Sequence, residues 1–307
     1  MRLDIRYRCA FEYGELVHES QNELRACPVS DHRQTLLGYR VSTSPPSRIF
    51  SFDDYWGTRV DTFGVREPHI YLEVVAEATV ETRSTPLVTI SPALDTLRDP
   101  TFIEQHWEYL ERTPHADWDD RITKEADALV ELIGPEVVSV ALGIHRRVGA
   151  LLQYRSGTTY VGVGVDELIG RGEGVCQDYA HLAVAMCRAV GIPARYVSGY
   201  LFTDDDAAGH DVDSDEVQVQ THAWFEAAVP GYGWLALDPT NRQAVGLRHV
   251  KIGHGRDYDD VSPLRGTYSG PPSASLEVAV EMRRLASATP VPTYHQAHQQ
   301  QQQQQQQ

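Results

Sequence analysis

A glycine-rich turn followed directly by an apolar helical segment limits how this chain can fold more than any other feature. Residues 172–181 read Gly-Glu-Gly-Val-Cys-Gln-Asp-Tyr-Ala-His, which places Cys176 at the start of the segment. The apolar residues that follow recur at helical spacing, at Leu182, Ala183, Met186, Cys187 and Val190, and Gly191 and Pro193 are typical of a helix end. Cys176 is therefore expected in or near the first turn, where unpaired N–H groups and the helix dipole stabilise an anion such as a thiolate.

A histidine and an aspartate follow in a predicted hairpin. Residues 221–227 and 234–238 are typical of two strands, and the turn Gly231-Tyr232-Gly233 joins them. His222 near the start of the first strand and Asp238 at the end of the second lie at the same end of this hairpin, so they can be cross-strand neighbours. A cysteine, a histidine and an aspartate in this chain order supply a nucleophile, a general base and a group that orients the base.

These segments resemble the transglutaminase-like superfamily of papain-like cysteine enzymes, in its bacterial two-domain branch with a β-rich N-terminal domain. The matching blocks occur in the family's order and spacing, at residues 174–181, 191–200, 222–224, 233–241 and 255–263. The resemblance implies Cys176 as nucleophile, His222 as base and Asp238 as the orienting acid. It covers most of the chain up to about residue 280, because the N-terminal region resembles the same branch more loosely.

Hydrophobic periodicity predicts an α+β fold with a β-sandwich-like N-terminal domain, followed by helices and then strands around one central helix. The resemblance implies that this second part is a papain-like core of helices packed on an antiparallel sheet. Alternating apolar residues predict strands at 2–12 and 15–25 around Gly14, and further short strands follow up to residue 81. Amphipathic helices are predicted at 101–111, 122–133 and 136–154, and strands at 194–202, 217–229, 233–238, 247–252 and 275–283. The predicted division is 1–90 for the N-terminal β domain, 95–285 for the core and 286–307 for a disordered Gln-rich tail.

Composition limits the partners of the protein. The formal net charge is −16 over 307 residues, which argues against nucleic acid and against an anionic membrane surface as partners. The segment Met1–Tyr7 has no apolar signal region, and four cysteines suit a reducing compartment, so we expect a cytoplasmic protein with Cys9 and Cys27 reduced. The expected partner is a peptide or protein substrate. The sequence leaves the oligomeric state open.

Several neighbouring residues have a structural interpretation. His181 lies five residues, about 500° of helix, beyond Cys176 and is expected to face away from it in the core. Asp178 favours the helix N-terminus electrostatically. The backbone N–H of Cys176 is expected in an oxyanion hole, whereas the second donor stays open between a side chain of residues 155–175 and Trp224. Trp224 and Trp234 either line a substrate groove or belong to the core.

The acidic segments carry no predicted metal. The run from Asp211 fails the EF-hand pattern, because Glu216 stands where glycine is needed and His222 where glutamate is needed. The cysteines and histidines lack a close pair with the spacing of zinc ligands. We interpret residues 204–215 as a solvated loop that could act as a lid, and residues 256–260 as a buried ion pair that positions the active-site loop.

The predicted chemistry is acyl transfer on an amide bond through a thioester at Cys176, with no metal or organic cofactor. Water as acceptor makes the protein a peptidase or amidase, and an amine makes it a protein-glutamine transglutaminase. The triad is the same in both cases. Bacterial relatives in this family are mostly peptidase-like, which favours hydrolysis. A non-catalytic peptide-binding module on the same scaffold is the alternative from a different class.

Overall fold

The computed structural model of the chain describes residues 1–155, 164–203, 215–270 and 274–286. The strands of this part of the chain are β1 (Arg2–Val17), β2 (Glu19–Leu24), β3 (Gln34–Ser44), β4 (Ile49–Asp53), β5 (Arg59–Val65), β6 (His69–Thr82), β7 (Gln153–Tyr154), β8 (Glu173–Gly174), β9 (Ala194–Leu201), β10 (Glu216–Val219), β11 (Thr221–Val229), β12 (Gly233–Asp238), β13 (Gln243–Ala244), β14 (His249–Gly255), β15 (Leu264–Ser269) and β16 (Ala274–Leu285). The helices are α1 (Pro100–His106), α2 (Asp120–Ile133), α3 (Val137–Leu151), α4 (Val165–Arg171), α5 (Cys176–Ala189) and α6 (Tyr258–Val261). Two short 3-10 helices span Leu94–Arg98 and Trp107–Tyr109.

Local sequence explains where the predicted helices begin and end. The carboxylate of Asp119 accepts the N–H groups of Arg121 and Ile122 at the start of α2, and Gly134 ends this helix with a φ of 90°. The segments predicted at 122–133 and 136–154 match α2 and α3 closely. The helix predicted at 101–111 is too long, because α1 ends at His106 and the chain continues as the 3-10 helix Trp107–Tyr109. The α+β fold class is confirmed.

Two antiparallel sheets share one hydrophobic core in the N-terminal part of the fold. Their strand orders are β10-β16-β1-β6-β3 and β15-β2-β5-β4. Along β1, Leu3, Ile5 and Tyr7 are buried in this core, as the predicted alternation requires. Tyr7 also stacks on Tyr200 of β9, with ring centroids 6.4 Å apart, so the N-terminal core continues against the sheet that contains β9.

The last strands of the chain complete these N-terminal sheets. β16 pairs with β1 from Arg2↔Leu285 to Tyr13↔Ala274, and β15 pairs with β2. β10 is the edge strand beside β16. The N-terminal sheets are therefore built from both ends of the described chain, and the predicted division at residues 90–95 stays a prediction.

The second half of the fold is a five-stranded sheet with both faces covered. Its order is β13-β12-β11-β9-β14. Phe225 and Ala227 on β11 pack into the core formed with α2, α3 and α5. Trp224, on the opposite face of the same strand, packs with Val197 and Ala236 under the N-terminal part of the chain. Because β11 is buried on both faces, its sequence is nearly continuously apolar.

Two predicted strand boundaries are wrong for identifiable reasons. β1 does not turn at Gly14 but continues to Val17, with a register shift against β6 between Glu12 and Val17. A single glycine in a strand often marks such an irregularity and not a turn. The predicted strand 217–229 is two strands, because the chain leaves the N-terminal sheet after Val219 and enters the core sheet at Thr221.

Glu226 is a buried acidic residue at the contact between the N-terminal part of the chain and the core sheet. Its carboxylate is 1% exposed and lies 2.6 Å from Arg33 Nη2, 2.6 Å from Arg195 Nη2 and 2.8 Å from Lys251 Nζ. Arg33 comes from the segment between β2 and β3, whereas Arg195 and Lys251 belong to the core sheet. This carboxylate therefore links the N-terminal part of the chain to the face of the core sheet that also carries Trp224, opposite the helices.

Replacing Glu226 by Gln is expected to lower the free energy of unfolding by roughly 3–5 kcal/mol, because it leaves buried cations without a counter-charge. Urea denaturation followed by circular dichroism measures the loss. Glu281→Gln is the matched control, since Glu281 meets Arg6 at 3.6 Å with both side chains nearly half exposed and such pairs contribute about 0–1 kcal/mol. Equal losses in the two variants would contradict this role of Glu226.

Candidate active site

Cys176 is the first residue of α5, as the glycine-rich turn predicts. Val175 precedes the helix with extended backbone angles, and the Asp178 carboxylate accepts the Val175 N–H at 2.8 Å. A Cβ atom at Gly174 would lie 2.9 Å from the Cβ of Asp178, so glycine is needed for this close approach. Asp178 thus has the structural role predicted for it. The turn fixes the position of Cys176 at the start of α5.

His222 and Asp238 meet across the predicted hairpin. The His222 Nε2 lies 2.9 Å from the Asp238 Oδ2, and both side chains are buried. Cys176 and His222 together line a small pocket of about 20 Å³, and the Cys176 Sγ is 4.0 Å from the Thr221 carbonyl oxygen, one residue from His222. Because Nε2 contacts Asp238, Nδ1 is the ring nitrogen available to exchange a proton with the Cys176 thiol. The structure brings together the three residues predicted as catalytic; their roles remain a prediction.

The environment favours a protonated His222. Burial disfavours its charged form, but the charge of Asp238, the hydrogen bond between them and the contact with Cys176 outweigh burial and raise the pKa of His222 to about 10. Burial alone would raise the pKa of the Asp238 carboxyl. The charge and hydrogen bond of His222 and a hydrogen bond from His249 outweigh burial and hold this pKa well below its usual range. The pair is therefore an imidazolium and a carboxylate at neutral pH.

Among the described residues, two more bind the Asp238 carboxylate and were not identified from the sequence. Asn241 donates its Nδ2–H to Oδ2 at 2.8 Å and its backbone N–H to Oδ1 at 3.2 Å. The His249 Nε2 lies 3.1 Å from Oδ2, while its Nδ1 accepts the Gly246 N–H at 3.2 Å, so the proton of neutral His249 sits on Nε2 and points at Asp238. The Asp-Pro-Thr-Asn turn could have indicated Asn241, whereas no spacing indicates His249.

Replacing His249 by Phe is expected to destabilise the protein by about 1.5–3 kcal/mol, because it removes a hydrogen bond to a buried carboxylate. Phenylalanine keeps the ring that packs edge-on against Trp224 at 5.4 Å. His249→Gln restores an N–H donor and is expected to lose less. Urea denaturation of both variants checks the order; a greater loss in His249→Gln would show that ring packing, and not the hydrogen bond, is what matters.

The other residues of the predicted site belong to the surroundings. His181 is buried, stacks on Tyr196 with centroids 4.6 Å apart and accepts the Tyr258 N–H at 3.1 Å, in agreement with its predicted core role. Trp224 is fully buried, and Trp234 packs under the Arg195 guanidinium at 3.8 Å. Neither tryptophan is among the described residues that line the pocket. The core interpretation holds for Trp224, whereas Trp234 is only partly buried and packs against Arg195 and Tyr109.

The remaining predictions near the site have mixed outcomes. Arg256 and Asp260 form the expected ion pair at 3.0 Å, but the Arg256 side chain is 43% exposed, so the pair is not buried as predicted. The segment is fixed to α5 by Arg188, whose Nη2 donates to the Arg256 carbonyl at 2.6 Å. Residues 204–214 of the predicted lid, and 156–163 of the segment predicted to supply an oxyanion donor, lie outside the described residues.

Within the described ranges, two clusters have ligand atoms close enough to hold a metal ion. In His222, Asp238 and His249 these atoms lie within 4.8 Å of one another, as they do in His115, Asp257 and Asp259. The first cluster is already joined by hydrogen bonds of 2.9 and 3.1 Å, and in the second His115 Nε2 meets Asp259 Oδ2 at 3.2 Å. We interpret both as hydrogen-bonded clusters, because these direct contacts pair the side chains with one another.

The helix-borne cysteine against a strand-borne histidine and aspartate defines a papain-like arrangement, and comparison with known proteins gives the family. Residues 126–239, which include all three side chains, match the transglutaminase-like superfamily, and residues 3–81 match the bacterial transglutaminase-like N-terminal region. The uncharacterized protein ML0607 of Mycobacterium leprae is 35% identical over 285 residues, which cover 93% of this chain and 99% of that protein. The chain belongs to the transglutaminase-like superfamily.

A protein described as a protease resembles almost the whole chain, and a protein described as a transferase resembles part of it. The crystal structure of a proposed cysteine protease from Cytophaga hutchinsonii superposes with a TM-score of 0.71 at 25% identity, covering 94% of this chain and 92% of that one. A protein-glutamine gamma-glutamyltransferase of Pseudomonas aeruginosa is 38% identical over 117 residues, which is 36% of this chain and 17% of that protein. Each helix in the described ranges is too short or too polar to span a membrane.

Proposed function

We propose that the protein is a cysteine-dependent enzyme that transfers an acyl group from a peptide or isopeptide amide bond through a thioester on Cys176, with water as the favoured acceptor. The observation that carries this proposal is the buried contact of 2.9 Å between His222 and Asp238 beside Cys176 at the start of α5. A cysteine, a base and an orienting carboxylate in this geometry are the parts that nucleophilic catalysis on a carbonyl requires. The substrate we propose is a peptide or protein.

The first half of the reaction forms the acyl-enzyme. The imidazolium of His222 carries on Nδ1 the proton that the Cys176 thiol has given up, and the resulting thiolate attacks the amide carbonyl carbon. The Cys176 N–H, in the first turn of α5, has no partner within the helix and can donate to the oxyanion that develops. His222 then gives its proton to the leaving amine as the C–N bond breaks. Asp238 stabilises the imidazolium throughout, in keeping with the raised pKa of His222.

The second half returns the free thiol. Water loses a proton to His222 and attacks the thioester carbonyl, and the C–S bond breaks to release a carboxylic acid. A primary amine in place of water would give a new amide, which is the transglutaminase reaction. The local similarity to the Pseudomonas gamma-glutamyltransferase favours this second candidate. The reaction needs Cys176 as a thiol, which a reducing cytoplasm preserves, so we place the protein there.

The test is to incubate the protein with a set of glutamine-containing peptides and a fluorescent primary amine, and to follow products by mass spectrometry. Hydrolysis is expected to give shortened or deamidated peptides, amine transfer to give amine adducts, and either to show a transient acyl mass on the Cys176 peptide. Cys176→Ser reports whether the adduct is a thioester. Peptides that bind but never form an adduct on Cys176 would overturn the proposal and indicate a peptide-binding module.

A further inference from the structure

A small cavity lies behind the active site, between the segment that carries Arg33 and the core sheet. Its volume is about 10 Å³, and Arg33, Trp224, His249 and Lys251 are among its lining residues. A cavity of this size accepts one guest about as large as a water molecule. It is separate from the pocket at Cys176, because none of these side chains lines that pocket among the described residues.

Two buried hydrogen-bond donors on residues that line this cavity have no partner among the described residues. The Arg33 Nη2 binds Glu226 at 2.6 Å, but no described residue supplies an acceptor to the buried Nη1 of the same guanidinium. The indole Nε1 of Trp224, a fully buried residue, likewise meets no acceptor in the part of the chain that the structure describes. Buried donors in native structures are nearly always paired, so two of them around one cavity indicate an acceptor in the space between.

The charge around the cavity is positive. Arg33, Arg195 and Lys251 surround the single carboxylate of Glu226, all with little exposure. Burial and then the neighbouring charge of Arg195 lower the pKa of Lys251 to about 7, against the opposing effect of Glu226. Arg195 is partly offset by the Trp234 ring. An additional negative charge at the cavity would balance this group.

An anion fits this environment better than water does. A water molecule must also place its two hydrogens, and each described side-chain acceptor that lines the cavity already accepts one backbone N–H. Gln34 Oε1 accepts the Lys251 N–H at 2.8 Å, and His249 Nδ1 accepts the Gly246 N–H. A monatomic anion only accepts hydrogen bonds, which is what the two unpaired donors require.

We propose that this cavity binds a chloride ion that accepts hydrogen bonds from Arg33 Nη1 and Trp224 Nε1. The ion neutralises the excess charge at the contact between the N-terminal segment and the core sheet. It also borders the active site from behind, because His249 lines the cavity and hydrogen-bonds Asp238. Chloride therefore stabilises the face of the sheet that holds His222 and Asp238.

The direct test is diffraction from crystals of the full chain soaked in sodium bromide, with data collected at the bromine absorption edge. We expect an anomalous peak within hydrogen-bonding distance of both Arg33 Nη1 and Trp224 Nε1. An empty cavity, or density at this position without an anomalous signal, identifies no ion or only a water molecule and overturns the proposal.

A solution test uses the thermal unfolding midpoint in sodium chloride against sodium gluconate at equal ionic strength. Binding to the folded state raises the midpoint as chloride increases. Trp224→Phe removes the indole donor and is expected to reduce the chloride-dependent shift, even if its midpoint is lower throughout. Trp234→Phe is the matched control and should keep the full shift. A shift of the same size in gluconate, or one that Trp224→Phe leaves intact, would contradict a specific chloride site.

Discussion

Replacing Cys176 by Ala is expected to lower the rate of acyl transfer by about 10⁵–10⁶-fold, because a catalytic unit that loses its nucleophile retains only oxyanion and binding effects. The substitution removes one partly buried sulfur at the start of α5 and leaves the N–H groups of the first turn in place. Folding should therefore be nearly unchanged. Initial rates on the best peptide found in the product screen, together with a circular dichroism spectrum, measure both effects.

The matched control lies on the same helix. Cys187 is fully buried in the helical core, and burial raises the pKa of its thiol well above the usual range, so it is not a nucleophile at neutral pH. Cys187→Ala should retain the rate per folded molecule. If Cys176→Ala keeps more than a small fraction of the activity, the reaction does not pass through a thioester at this position.

Replacing Asp238 by Asn is expected to lower the rate by about 10⁴-fold, the effect seen when the orienting carboxylate of a triad is neutralised. Asparagine cannot stabilise the imidazolium, so the pKa of His222 should fall from about 10 towards its ordinary value near 6.5. Rate measurements across pH should show the alkaline decline of the wild-type protein near pH 10 and an earlier decline in the variant.

The same substitution is expected to change how the free energy of unfolding depends on pH. The folded-state pKa of His222 is raised, so its contribution is fully present below about pH 6.5 and is lost as pH rises through about 10. Asp238→Asn should remove this contribution and flatten the dependence of the unfolding free energy between these limits. Asp61→Asn is the control, since Asp61 is an equally buried aspartate in the N-terminal sheets, bound to Tyr39 and Ser51. An unchanged pH profile in Asp238→Asn would rule out the proposed pairing.

The residues of the site that sequence could predict are those that local structure brings together. Cys176 follows from a glycine turn and a helical pattern, and His222 and Asp238 from one hairpin. His249 was missed because it reaches Asp238 from a separate strand, β14, that is paired with β9 and not with the hairpin. Local periodicity carries no information about such a contact.

The contacts between the two ends of the chain were beyond sequence analysis for the same reason. Arg33 meets Glu226 across 193 residues, and β16 pairs with β1 although each strand alone shows only its own alternation. The break at Gln220 was hidden because Val217 and Val219 are as apolar as the strand that follows. Which sheet a strand joins depends on partners that one segment does not specify.

The central claim is that Cys176 and His222 act as a pair, and the rate of iodoacetamide alkylation at Cys176 against pH tests it without a known substrate. In the wild-type protein we expect fast alkylation that persists down to about pH 5–6, and in His222→Ala a rate that rises only towards about pH 8.5, as for an ordinary thiol. Mass spectrometry of the Cys176 peptide distinguishes it from the three other cysteines. Identical profiles in both proteins, or an inert Cys176 in the wild type, would contradict the pairing and the proposed function with it.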